Sequence, residues 1–318
     1  MSRKDSAYTN GVIAVKEKKL LKDKLARMCS MSVEEALRLL VESGFGGDSF
    51  EPEEMILANE REIDAFIREY APSKEVEEYL LSPRDFHNAK AIVKARYLHC
   101  DVKPLLGSDG KFSADELNKC IEAGDTQKLG KELHGAIQEA EKLLKGEAPS
   151  GAEVGVLFDK ALFTYLSRVL KKGGVCRKLL ARRADMTNLL TYFRAQNKEE
   201  AEKFFMSGGS LSKDKLCCAF GAQDDALKAF DKSEYKEYVK KLTASREGEK
   251  PFTEAEKMLE SYEVDFFSEK PYELSGQGTF LYYVFRRRTE SENVRIVFVC
   301  LRAGLSESEI KKRLRGNV

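Results

Sequence analysis

The chain has 318 residues, 42% hydrophobic and 34% charged, with a formal net charge of +1. That is enough apolar material for packed cores beneath a heavily charged surface, and the near-neutral balance excludes a general nucleic-acid binder, which concentrates basic charge. No stretch nears the roughly 18 apolar residues of a membrane-spanning helix, and no apolar segment follows Ser2-Arg3-Lys4-Asp5 to suggest a secretory leader.

Apolar and charged residues alternate at helical spacing along almost the whole chain, which predicts an all-α protein with no strand. Residues 11–29 read as one amphipathic helix. Ser32 with Glu35 caps the next, and Gly46-Gly47 ends it. Ser82-Pro83 reads as a helix start, because proline at the first position lacks only an N–H that would be unpaired anyway. A linker spans Asp101–Gly110, and a long helix runs from Ser113 towards Leu144. Breaks fall at 146–151, at Gly173-Gly174, at Ser207-Gly208-Gly209 and at 247–251. The seven cysteines are odd in number and scattered, which fits reduced and largely buried thiols of a cytosolic protein.

Superimposed on these helices is an internal repeat. Asp85-Phe86-His87-Asn88, Asp185-Met186-Thr187-Asn188 and Glu290-Ser291-Glu292-Asn293 each place an asparagine three residues after an acid. The asparagines are 100 and 105 residues apart. The first, fourth and fifth residues after each one are apolar: Ala89, Ile92, Val93; Leu189, Tyr192, Phe193; Val294, Val297, Phe298. That spacing puts them on one helical face. A second pattern pairs Phe112-Ser113, Leu211-Ser212 and Leu305-Ser306, each serine a helix cap, two of them with a glutamate completing a capping box. Glu35–Leu40 also resembles Asp225–Phe230. The repeat predicts three helical bundles, 1–105, 106–207 and 208–318. The acid and asparagine read chiefly as caps at helix starts. The same residues, with Lys94, Arg96, Arg194, Arg295 and Arg302 nearby, also form three comparable polar clusters that could bind a partner.

Signals for chemistry are weak. Gly107-Ser108-Asp109-Gly110-Lys111 is too short for a phosphate loop and follows no strand, and Gly44-Phe45-Gly46-Gly47 follows a helix. His87, His99 and His134 form no zinc motif, and His99-Cys100-Asp101 is a poor ligand set because helical neighbours point apart. No cofactor, metal or nucleotide site is expected.

The residues resemble a known family, the C-type subunits of bacterial and archaeal V-type (A-type) ATPases, which are similar to the d-type subunit of the eukaryotic enzyme. Glu290–Val297, then Ala303-Gly304-Leu305-Ser306-Glu307-Ser308-Glu309-Ile310 with Arg313-Leu314, match its C-terminal pattern of acid, Asn, apolar residue, Arg and a Gly-Leu-Ser helix start. Asp185–Arg194 and Asp85–Arg96 match its other two copies, and Phe163–Leu166 after Asp159 its aromatic helix. The first helix departs, with Gly11, Ile13 and Lys16-Glu17 where the family carries arginines. The resemblance implies a non-catalytic, peripheral protein on the cytoplasmic side of the membrane: an all-helical pseudo-threefold funnel that receives the central stalk and sits on the membrane rotor ring. Asp85, Asn88, Arg96, Asp185, Asn188, Arg194, Glu290, Asn293 and Arg295 would then be partner-binding residues. The competing readings are a free-standing helical-repeat interaction scaffold and a helical enzyme whose site is assembled in space.

Overall fold

A computed structural model describes residues 6–21, 23–47, 49–146, 150–248, 251–274 and 276–316. Every regular element among them is helical, and no strand is present among the described residues. The chain divides into two compact units, Met1–Glu77 with Glu263–Val318, and Glu78–Tyr262.

The first unit packs chain segments from both ends of the sequence. Leu25, Met28, Ala36, Leu40, Met55 and Ile56 share one buried cluster with Val294, Val297, Phe298, Ile310 and Leu314. The helices Pro52–Tyr70 and Gln277–Arg302 pack against each other, with Phe66 stacked on Phe280 at 5.3 Å and edge-on to Tyr283 at 5.2 Å. The second unit is a run of helices that begins within Lys74–Leu98 and ends within Thr253–Glu269, around buried Phe158, Tyr192, Phe230 and Tyr238. All nine apolar residues that follow the three asparagines are buried.

The serine caps form as the sequence predicts. Ser113 and Ser306 each make a complete capping box, and Ser212 accepts a bond from the Lys215 N–H at 3.2 Å. Ser32 with Glu35 forms a third box, and that helix stops at Ser43, before the Gly46-Gly47 pair. Four cysteines, Cys29, Cys120, Cys176 and Cys300, are buried, while Cys100 is exposed.

Three expected boundaries are corrected. The amphipathic stretch 11–29 is two helices, Ser6–Lys16 and Asp23–Met28, joined through a short 3-10 turn and an extended Leu20. Leu20 and Leu21 are buried, and the Leu21 N–H is bonded outside its own segment, so helical periodicity is overridden by a tertiary bond. The helix expected from Ser113 to Leu144 breaks into Ala114–Glu122 and Lys131–Leu144. Gly124, at φ +72°, closes the first, with the Asp125 N–H reaching back to the Cys120 carbonyl at 2.9 Å. The helix expected to start at Ser82-Pro83 starts instead at Lys74, with Ser73 accepting from the Val76 N–H, and Pro83 lies inside it.

Candidate functional site

The three acid–asparagine pairs do not start helices. Each lies inside a long one, Lys74–Leu98, Val175–Arg194 or Gln277–Arg302, and is buried. The capping reading is therefore wrong for them: a helix interior has no spare N–H to cap. Their partners are backbone groups of a loop that returns to the helix.

In the second unit, Asn88 Oδ1 accepts from the Gly107 N–H at 2.9 Å and its Nδ2 donates to the Ser108 carbonyl at 3.3 Å. One turn earlier, Asp85 Oδ1 accepts from the Phe112 N–H at 3.0 Å. Asn188 repeats the arrangement on Met206, accepting from its N–H at 2.7 Å and donating to its carbonyl at 2.9 Å. Asp185 accepts from the N–H groups of Ser210 and Leu211 and from the hydroxyls of Ser210 and Tyr235. In both cases the clamped residue Phe112 or Leu211 immediately precedes the capping serine of the next helix. Asp85 and Asp185 thus position the following helix from inside the preceding one.

In the first unit, Asn293 holds Arg315, accepting from its N–H at 2.7 Å and donating to its carbonyl at 2.9 Å. Glu290 Oε1 accepts at 2.6 Å from the N–H of Leu21, a residue 269 positions away, which immediately precedes Lys22 and the helix Asp23–Met28. Leu21 therefore stands where Phe112 and Leu211 stand in the other two clamps. This corrects the second sequence pattern. Ser306 caps the short helix Glu307–Arg313 that precedes the asparagine-held Arg315, as Asn197 caps Lys198–Lys203 before Met206. Its counterpart is Asn197, not Ser212. Local sequence similarity matched two serine caps that occupy different places in the cycle.

The glycine-rich segments are explained by the same clamps. A Cβ at Gly110 or at Gly209 would overlap the carboxylate of Asp85 or Asp185. Gly110 and Gly209 fall 25 and 24 residues after those acids, a spacing present in the sequence but outside the motifs that its helices suggest. The N–H groups of Gly107 and Phe112 are already given to Asn88 and Asp85, so they are not offered to a phosphate.

Beside the first clamp, buried Glu78 accepts from the Tyr165 hydroxyl at 2.5 Å, from Lys111 at 3.0 Å and from Ser82 at 3.0 Å. Burial pushes the Glu78 carboxyl up, but the bonds from Tyr165, Lys111 and Ser82 outweigh it and hold it below the usual range. Asp85 goes the other way. Burial dominates over the backbone N–H groups of Phe112 and Lys111 and the Lys111 charge, and its pKa is pushed up to about 6. Burial and the Asp185 carboxylate push the Tyr235 phenol upward.

The arginines lie at the surface. Arg96 donates to the Ile121 carbonyl at 3.0 Å and faces Glu141 at 3.8 Å; Arg194 pairs with Glu256 and lies over the Phe252 ring; Arg295 pairs with Glu53 at 3.2 Å. Their side chains are 45%, 42% and 41% exposed, so pairs of this kind contribute about 1 kcal/mol or less. Lys94 contacts the Lys90–Asp159 pair electrostatically, and Arg302 lies in the last turn of its helix. The structure therefore separates the nine residues that the repeat singles out into six buried clamp members and three half-exposed cations. Among the described residues, no group of three or more His, Cys, Asp or Glu could hold a metal ion.

Two outcomes follow from the clamps. Asn188→Ala removes two bonds and leaves the buried Met206 N–H without its acceptor, so it should cost about 2–4 kcal/mol, against about 1 for a lost helix cap. Urea denaturation at constant slope measures the difference. For Asp85, the folded pKa lies above the unfolded one, so the native state binds more protons between the two values and stability falls as pH rises through that window. Asp85→Asn keeps the acceptor oxygen and cannot ionise. Relative to it, wild type should lose up to about 3 kcal/mol between about pH 4 and pH 7. A pH-independent difference between the two proteins would show that burial does not govern this carboxylate.

Comparison with known proteins covers both units. The description "ATP synthase (C/AC39) subunit" matches residues 9–313, a span that includes all three acid–asparagine pairs. The C-type subunit of the V-type sodium ATPase of Enterococcus hirae is 23% identical over 293 residues, which are 89% of this chain and 88% of that protein. The chain belongs to the ATP synthase (C/AC39) subunit family.

Proposed function

We propose that this chain is a non-catalytic central-rotor subunit of a V-type (A-type) ATPase, joining the central stalk of the soluble ATPase head to the membrane rotor ring. In this role it serves ATP-driven transport of protons or sodium ions, or ATP synthesis, from the cytoplasmic side of the membrane. The observation that carries the reading is the family match over residues 9–313. No helix among the described residues is long and apolar enough to cross a membrane, which fits a subunit that meets the ring from outside the bilayer. The division of polar groups supports it too. The repeated acids and asparagines are spent on the chain's own backbone, an arrangement for stiffness and not for reaction.

The proposal includes three related repeats, 1–105, 106–207 and 208–318, arranged as a pseudo-threefold funnel around the stalk. Within it, Asp85, Asn88, Asp185, Asn188, Glu290 and Asn293 are struts that fix loops, and Arg96, Arg194 and Arg295 are the surface groups that meet acidic partner surface. A coupler transmits torque through broad contact and needs no reactive group.

The test pairs affinity for the purified stalk subunits with thermal melting. Arg96→Glu, Arg194→Glu and Arg295→Glu should each weaken stalk binding about tenfold or more, since a like charge against a desolvated partner costs several kcal/mol. Melting should stay close to wild type. Unchanged affinity across all three reversals would leave the arginines with packing roles alone. Micromolar ATP binding at a defined stoichiometry in equilibrium dialysis would contradict the non-catalytic reading.

A further inference from the structure

The helix Val33–Glu42 presents two apolar stripes. Ala36 and Leu40 are buried in the core, whereas Leu37 and Val41, one turn apart, are only partly covered. They form the floor of a cleft of about 410 Å³, completed by Phe50, a residue 70% exposed, and rimmed by Glu34, Arg38 and Glu42. An exposed aromatic over a partly covered aliphatic floor is unfavourable surface to leave against water.

The charge of the sequence segment that carries the cleft is one-sided. Residues 34–54 contain seven acids, Glu34, Glu35, Glu42, Asp48, Glu51, Glu53 and Glu54, and one base, Arg38, in a chain whose net charge is +1. Some of these acids are committed elsewhere: Glu35 to its capping box, Glu53 to Arg295 and Glu54 to Ser49. Among the described residues, Glu34, Glu42 and Glu51 have no ion-pair partner. An apolar slot within an acidic field fits an occupant that is apolar along one side and basic along its edges.

We infer that this cleft is a docking site for a basic amphipathic helix of another polypeptide, with an apolar side chain seated against Phe50, Leu37 and Val41 and Lys or Arg on the flanks. The source of that helix, a neighbouring protein of the ATPase, rests on the rotor reading above. The surface itself does not depend on it.

Two measurements keep these apart. First, p-benzoylphenylalanine replaces Phe50 in the full chain within the ATPase purified from membranes, and the photo-adduct is located by mass spectrometry. The expected adduct is with one helical segment of a different ATPase polypeptide that has Lys or Arg beside apolar residues. Glu34→Lys with Glu42→Lys should reduce it at least tenfold. An adduct with lipid, with a second copy of this chain or with an acidic segment overturns the inference, as does no adduct while the chain remains in the complex. Second, the isolated full chain is titrated with a synthetic 14-residue Leu/Lys amphipathic helical peptide. Saturable binding should weaken at least tenfold in Phe50→Asp and in the double charge reversal, and weaken with added salt. Equal binding by wild type and both variants overturns the site even if the chain proves to lie outside any ATPase.

Discussion

A buried carboxylate or carboxamide must find its hydrogen bonds inside the protein, and in this chain that requirement dictates where the loops go. Left unpaired, such a group costs several kcal/mol, so a helix that carries an acid and an asparagine one turn apart on its buried face cannot be satisfied by its own backbone. The loop that leaves the helix has to return and present N–H and carbonyl groups to it. Once returned, it delivers the next helix at a fixed point, with the serine cap already in register at the first two clamps. The apolar residues one, four and five after each asparagine then bury against whatever that placement brings. The hydrophobic core supplies most of the stability, but the clamps decide which packing is reached.

Side-chain length and backbone shape are adjusted together at these sites. Aspartate is short, so the Gly110–Phe112 and Gly209–Leu211 segments approach within a distance that a Cβ would obstruct. Glutamate has one more methylene. Glu290 reaches the Leu21 N–H at 2.6 Å, and the corresponding position, two residues before Leu21, is Lys19 and not glycine. The Asp/Glu difference among the three clamps is thus matched by the Gly/Lys difference on the other side of the bond. Exchanging either partner alone changes the gap that the other was fitted to span.

Much of this was legible in the sequence. Helical periodicity located most helices, the asparagine spacing picked out three helices and their buried faces, and Ser113 and Ser306 announced their capping boxes. Two features were hidden for a physical reason. Asp and Asn serve equally well at a helix cap and in a helix-to-loop clamp, since both uses need only a short acceptor near an N–H. Sequence alone therefore placed Asn88 and Asn188 at helix starts, where Pro83 reinforced the error. The bond between Leu21 and Glu290 left no local trace at all. Residues 11–29 keep an unbroken amphipathic pattern, and the interruption at Leu20 comes from a partner near the other end of the chain. The same long-range pairing misled the match of Ser306 to Ser212, because the position equivalent to Ser212 in the third clamp falls near the N-terminus, just after Leu21.

The Leu21–Glu290 bond also sets an order of assembly during synthesis. The first two clamps join residues within one loop of their helix and can close as soon as that loop leaves the ribosome. The third cannot. Leu21 is made before its acceptor, Glu290, which lies 269 residues later. At translation rates of about 5–20 residues per second, the N-terminal segment waits roughly 13–54 seconds with its buried leucines unhoused. Its neighbours in the finished core, Val294, Val297 and Phe298, are made in the same late interval. The helices on either side of Leu21 are therefore synthesised well before the residues that lock them in place, so this part of the core closes late.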